Sequence, residues 1–294
     1  MCSYVAWQKE VNSSVHDYEL TELTIGKRST KFMVTGIKVH SGEDFESMRK
    51  AGHLAAEVLD YITDYVKPGV TTDELNSLCH EFIVAAGAIP APLHYKGFPK
   101  SICTSKNNVV CHGIPDAVPL KDGDILNIDV TVILNGWHGD TSRMYFVGTP
   151  SIKAVRLCKA TYEAMMAGIS AVKPGIPFNA IGHAINAHIS QYEYSIVYQY
   201  CGHGIGQTFH APPNIVHYAS DENSALIMAP GMFFTIEPMI NAGRADVILD
   251  RRDGWTVRTK DLSLSAQFEH TIGVTQTGYE IFTLSPAGLH TPNF

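Results

Sequence analysis

"NIDVTVILNGWHGD", residues 127–140, places two strand-forming runs on either side of an Asn135-Gly136 pair. Residues 125–134 are rich in Ile, Val, Leu and Thr, which favour strands. Asn-Gly is the preferred two-residue loop of a β-hairpin. Centring the loop there sets Leu134 opposite Trp137, Thr131 opposite Asp140 and Asp129 opposite Ser142. Side chains alternate along a strand, so Leu126, Ile128, Val130 and Val132 share one face and Asn127, Asp129 and Thr131 the other. Asp129 and Asp140 then become diagonal neighbours on the polar face. Two ionised carboxylates so placed repel one another, and a cation between them reverses the sign. The pair is either two solvated acids on an exposed face or part of a metal site.

The whole chain has 294 residues, 45% hydrophobic and 17% charged, which describes a globular protein with a sizeable core. No apolar run approaches the length of a membrane span. The start, "MCSYVAWQKEVNSSVHDYEL", lacks the basic and apolar regions of a secretory signal, so a cytoplasmic protein without membrane attachment is expected. Cys2, Cys79, Cys103, Cys111, Cys158 and Cys201 show no paired metal-type spacing and read as reduced thiols. A net charge of −7 argues against specific or general nucleic-acid affinity.

An internal duplication widens the meaning of the hairpin. "YVKPGVTTDELN" (65–76) is echoed by "AVKPGIPFNAIG" (171–182), at an offset of 106. Before the first KPG turn, Met48, Leu54, Ala55, Val58, Leu59 and Ile62 follow helical spacing, with a capping box at Ser41 and Asp44. After it come a second box at Thr71 and Glu74 and a helix stop at Gly87. "DGDILNID" (122–129) is matched by "PGMFFTIE" (230–237), at an offset of 108, so Asp129 corresponds to Glu237. A further acid follows each strand: Asp140 in the first half and Glu269 in the second. If the halves pack about a pseudo-twofold axis, all four acids converge. Two divalent ions would neutralise four carboxylates, and a nearby imidazole would shift preference towards manganese, iron, cobalt or zinc. His203, among glycines in "YCGHGIG" (200–206), is the candidate, against the ordinary reading of one histidine among fourteen.

The motifs "VCHGIP" (110–115), "NIDVTV" (127–132), "HGDTSRMY" (138–145), "CGHGIGQTFH" (201–210), "TIEPM" (235–239) and "FEHT" (268–271) stand in an order that resembles the type I methionine aminopeptidases, over roughly residues 37–285. The resemblance implies the α+β pita-bread fold, in which two αβ halves related by a pseudo-twofold share a mainly antiparallel sheet covered by helices. It places the catalytic domain at 37–294, with halves of about 37–150 and 151–285, behind an amino-terminal extension at 1–36. It implies removal of the initiator methionine from nascent polypeptides when the second residue is small, by attack of hydroxide activated at a dinuclear metal centre.

Carried over by position, the resemblance assigns Asp129, Asp140, His203, Glu237 and Glu269 as ligands of two divalent ions (cobalt, manganese, iron or zinc). Asp140 and Glu269 would bridge the ions; His203 and Glu237 would complete one site and Asp129 the other. His112 and His210 would act beside the scissile peptide, on its amide and carbonyl, and Glu237 would shuttle a proton. Tyr95, Phe98, Cys103, Phe209 and Trp255 would line the methionine pocket, although buried aromatics are more often plain core. Pro92 stands where bacterial relatives often have cysteine, and Phe98 where tyrosine is common. "FHAPP" (209–213) lacks the acidic residues often found between its histidine and proline.

Other histidines read as structural. His183 and His188 do not share a helix face, and His270 should point away from Glu269 across its strand. Basic residues between Thr24 and Lys31 raise a transient ribosome or nascent-chain contact as a hypothesis, and nothing demands more than a monomer. The rivals are an X-Pro peptidase, which normally carries a large amino-terminal domain, and a type II enzyme, which needs a helical insertion between His203 and Glu237. A metal-free binding protein on the same fold is a third, and its ligand set should be broken.

Overall fold

The computed structural model of the chain describes Thr21–Ile25, Arg28–Phe32 and residues 36–294. The first two segments, β1 and β2, pair antiparallel. The rest of the 1–36 extension, with its expected role as an arm or docking element, lies outside the described residues. Helices α1 (Gly42–Ile62) and α2 (Thr72–Ala85) begin at the two expected capping boxes. The hydroxyls of Ser41 and Thr71 accept from the N–H of Asp44 and Glu74, whose carboxylates accept from the N–H of Ser41 and Thr71. Gly87 follows α2 at φ 74°, as a helix stop should. All six helical-spacing residues from Met48 to Ile62 are buried.

Strands β3 (Ile89–Pro90), β4 (Cys103–Lys106) and β5 (Val109–Cys111) lead to the long hairpin of β6 (Ile125–Leu134) and β7 (Trp137–Phe146). Its register is the expected one, with Thr131 opposite Asp140 and Asp129 opposite Ser142. Asn135 and Gly136 both take positive φ, 51° and 82°, as a type I′ loop requires. β6 also pairs with β3 and β4.

The second half repeats the plan. Helices α3 (Ile152–Ser170) and α4 (Asn179–Ile189) precede β8 (Ser195–Ile196), β9 (Gly202–Gly204), β10 (Ala211–Ile215) and β11 (Phe233–Ile236). β12 (Met239–Asn241), β13 (Val247–Leu249), β14 (Val257–Thr259), β15 (Ser265–Gln267), β16 (His270–Val274) and β17 (Tyr279–Ile281) complete it. The strands order as β10-β9-β11-β16-β17, β15-β12-β8 and β13-β14-β5, every pair antiparallel. The echoed turns match in conformation: Gly69 and Gly175 at φ 93° and 85°, Gly123 and Gly231 at 90° and 93°.

Each half has its own apolar core. One gathers Leu54, Val58, Leu59, Ile128 and Val130 under α1 and α2. The other gathers Leu157, Met165, Ile185, Phe234 and Ile272 under α3 and α4. Burying such side chains contributes about 1.5–3 kcal/mol each before entropy is counted. Between the cores the seam is polar. Ser142 and Glu269 exchange backbone hydrogen bonds at 3.4 and 3.1 Å. Thr141 Oγ1 donates to the Glu269 carbonyl and Thr271 Oγ1 to the Asp140 carbonyl, both at 2.7 Å. The seam therefore fixes the backbone of the two acids expected to bridge metal.

Candidate metal centre and substrate cavity

The hairpin register delivers Asp129 from β6 and Asp140 from β7 to one face, and a cavity of about 480 Å³ opens over it. All the residues expected at the site line this one cavity: Asp129, Asp140, His203, Glu237 and Glu269; His112 and His210; and Tyr95, Phe98, Cys103, Phe209 and Trp255. Asp140, His203 and Glu269, all buried, each bring a ligand atom within 4.8 Å of the others. His203 Nε2 lies 3.5 Å from Asp140 Oδ2 and 3.7 Å from Glu237 Oε1. Asp129 lines the same wall outside that tightest group.

His203 reaches the crowded centre because glycines flank it. A Cβ at Gly202 would stand 2.4 Å from the Thr235 carbonyl oxygen, and one at Gly204 would stand 2.1 Å from that of Pro212. Neither contact is tolerable, so the flanking positions exclude side chains. The His203 Nδ1–H donates to the Gly204 carbonyl (3.1 Å), which turns Nε2 with its lone pair towards the acids.

Threonines and other polar side chains orient the acids. Thr131 Oγ1 donates to Asp140 Oδ1 at 2.7 Å. Thr235 Oγ1 accepts from the His203 N–H (3.0 Å) and donates to Glu237 Oε1 (2.9 Å). Gln267 Nε2 donates to Glu237 Oε2 at 3.3 Å, and the Glu237 N–H donates to His217 Nε2 at 3.1 Å. These residues were absent from the expected set. Period-two alternation carries their signal, since Thr131, Thr235 and Gln267 each stand two positions from an acid and share its face. His217 has no such signal. Tyr200, Met239, Leu249 and Lys96 also line the cavity without having been expected there.

Burial raises the carboxyl groups of Asp129 and Glu269 well above their usual range, and neighbouring acids push the same way. Burial also lifts Glu237, to about 7, against the opposing pull of His203. Burial alone would lower His203, but the carboxylates of Asp140 and Glu237 raise it overall. Among the lining residues Lys96 is the only Lys or Arg, and it is exposed. The cluster thus holds more buried acid than the chain's own cations neutralise. Four carboxylates and one imidazole are the hard and borderline donors that a divalent metal takes, so the donor set fits such an ion.

The histidines without an acidic partner behave differently. Burial lowers His112 to about 4, and burial together with His203 and His112 pushes His210 well below the usual imidazole range. Both are neutral rings at neutral pH. Burial keeps the Tyr95 phenol protonated, and its oxygen lies 3.0 Å from His210 Nδ1, a hydrogen bond that holds the His210 ring in place. Around them, Phe98 meets Trp255 edge to face at 5.2 Å, and Tyr95 and Phe209 lie 4.9 Å apart. Cys103 and Pro92 complete the apolar wall. Of the histidines read as structural, His270 bonds Thr283 Oγ1 (2.9 Å) and His188 lies 3.5 Å from Glu163. The five cysteines among the described residues are free.

A mainly antiparallel α+β fold with buried acids and an imidazole at its seam defines a class, the pita-bread metallopeptidases. The sequence profile of metallopeptidase family M24 matches residues 46–276. Methionine aminopeptidase of Rickettsia prowazekii (strain Madrid E) is 62% identical over 258 residues, covering 88% of this chain and 99% of that protein. The crystal structure of methionine aminopeptidase from Rickettsia prowazekii superposes with a TM-score of 0.83 at 62% identity, covering 84% of this chain and 100% of the other. Prolidase from Pyrococcus furiosus shares the fold alone, at 20% identity and a TM-score of 0.65, with only 65% of its length covered. The chain belongs to metallopeptidase family M24, among the type I methionine aminopeptidases. It is a metal-dependent hydrolase that removes amino-terminal methionine from polypeptides.

Proposed function

We propose that the chain excises the initiator methionine of nascent polypeptides whose second residue is small, using two divalent ions held by Asp129, Asp140, His203, Glu237 and Glu269. The observation that carries this reading is the convergence of these ligands with two neutral histidines on one apolar-walled cavity. When bound, the metals supply Lewis acidity and lower the pKa of the attacking water. The chain's own residues do the rest. Tyr95, Phe98, Cys103, Phe209 and Trp255 receive the methionine side chain, whose flexible thioether suits such a pocket. His210 bonds the scissile carbonyl, and His112 bonds the peptide amide, so both stabilise charge as the carbonyl turns tetrahedral. Glu237 takes a proton from the nucleophile and passes it to the departing amine.

We further propose residues 1–36 as an extension ahead of a catalytic domain at 37–294 with halves of about 37–150 and 151–285. The reading sets the enzyme, as a monomer, in the cytoplasm where new chains appear. No helix among the described residues is long and apolar enough to cross a membrane.

The test is hydrolysis of Met-Ala-Ser and Met-Phe-Ser by chelator-stripped protein, with manganese, iron, cobalt or zinc restored separately. Free methionine should appear from Met-Ala-Ser only, and only with metal. Equal release from Met-Phe-Ser removes the small-residue rule. Preferential cleavage of an X-Pro peptide replaces the reading altogether. Deleting residues 1–36 tests the ribosome hypothesis, which falls if ribosome co-sedimentation is unchanged.

A further inference from the structure

Among the described residues, the sheet β13-β14-β5 ends in an open strand. The Asp250 N–H donates to the Thr256 carbonyl at 2.8 Å and the Lys260 N–H to that of Asp246 at 2.9 Å. Antiparallel partners alternate between bonded and non-bonded pairs. With Ile248 opposite Arg258, the backbone of Ile248 must face β14, while those of Val247 and Leu249 face away from it. Among the described residues, the N–H and C=O groups of Val247 and Leu249 have no hydrogen-bond partner. Edges of this kind are commonly guarded by charge, proline or a bulge. Val247-Ile248-Leu249 itself carries none of these; the strand is three residues long between Asp246 and Asp250, and Ile248 is 56% exposed.

This open edge meets the cavity at one residue. Leu249 lines it, as do Gly254 and Trp255 from the turn between β13 and β14. A polypeptide held by its amino terminus leaves the cavity with unpaired backbone groups along its length. We propose that the substrate chain beyond the scissile bond adds to the outer edge of β13 as a further strand, bonding the backbone of Val247 and Leu249. This rests on the reading of the cavity as the place where the first peptide bond is cut. Main-chain pairing takes affinity from the backbone and little from side chains. It therefore suits substrates that share their first residues and differ afterwards.

The experiment uses the metal-loaded enzyme with Met-Ala-Ser and a heptapeptide beginning with the same three residues. The heptapeptide should have kcat/KM about tenfold higher, the worth of roughly two net backbone hydrogen bonds. Single N-methyl groups placed from the fourth residue onward should abolish that advantage at every second position and spare the positions between, since only alternate N–H groups face a neighbouring strand. Val247→Pro deletes one outward N–H at a place where an edge strand accepts proline, and should lower the heptapeptide-to-tripeptide ratio. No length advantage, or equal losses at successive positions while the tripeptide is still cleaved, overturns the strand pairing and leaves the reading of the cavity standing. No methionine released from any peptide with any metal overturns both.

Discussion

Thr235 is fully buried, and its one hydroxyl joins two candidate ligands by accepting from the His203 N–H and donating to Glu237. Thr235→Val keeps the shape and strands both partners, at a cost of about 1–3 kcal/mol. Manganese affinity, followed by calorimetric titration, should fall by roughly tenfold or more, and Thr235→Ser should restore it. His112 gives a pH signature. Its folded pKa of about 4 lies below the unfolded value of 6.5 because burial disfavours the charged ring. The stability linked to it is complete above pH 6.5 and is lost as pH falls towards 4. The thermal midpoint of metal-free His112→Gln should therefore decline less across that window than the parent's, and parallel declines would refute the assignment. Asp129 and Asp140 were legible in the sequence because a β-hairpin register places both from a two-residue loop. His217 was not legible, because its contact with the Glu237 backbone joins segments 20 residues apart that no local pattern links.

The contact between α1 and β7 depends on Gly139, the residue before Asp140. A Cβ there would stand 2.3 Å from the backbone carbonyl of Ala51. The helix backbone cannot yield without moving as a unit, so Gly139→Ala should be strongly destabilising, by about 3 kcal/mol or more. Chemical denaturation measures it, and a loss below about 1 kcal/mol would show that α1 shifts freely. Thr71→Ala, which opens a capping box, should cost only about 1 kcal/mol and leave metal binding intact, because α2 contributes no residue to the cavity. The capping boxes and the hairpin were readable because each is a local rule, closed within a few residues. Apart from β11, which echoes β6, the short strands from β8 to β15 were not, since runs of two to five residues show too little period and gain their pairing only from the assembled sheets.

Across the whole molecule, two apolar cores meet at a seam of acids. The echo at offsets of 106 and 108 made this arrangement readable, because a repeated αβ unit with an acid on each strand brings its acids together under twofold packing. Each half alone would leave its pair of carboxylates in an ordinary polar face, whereas joining them buries like charges, which opposes closure. A divalent ion bound at the seam favours the joined state over the unfolded chain. An ion at about 100 times its dissociation constant adds about 2.7 kcal/mol. For a chain of this size that is roughly 4 °C in thermal midpoint. Scanning calorimetry with chelator and then with excess manganese should show that rise in the parent. His203→Ala, which removes one donor from the tightest group, should show a smaller one. A variant at the open strand, Val247→Pro, should retain the full shift, since Val247 stands outside the acid cluster. Equal midpoints with and without metal in the parent would mean that the acids do not hold an ion across the seam, and would separate the pseudo-twofold fold from its proposed chemistry.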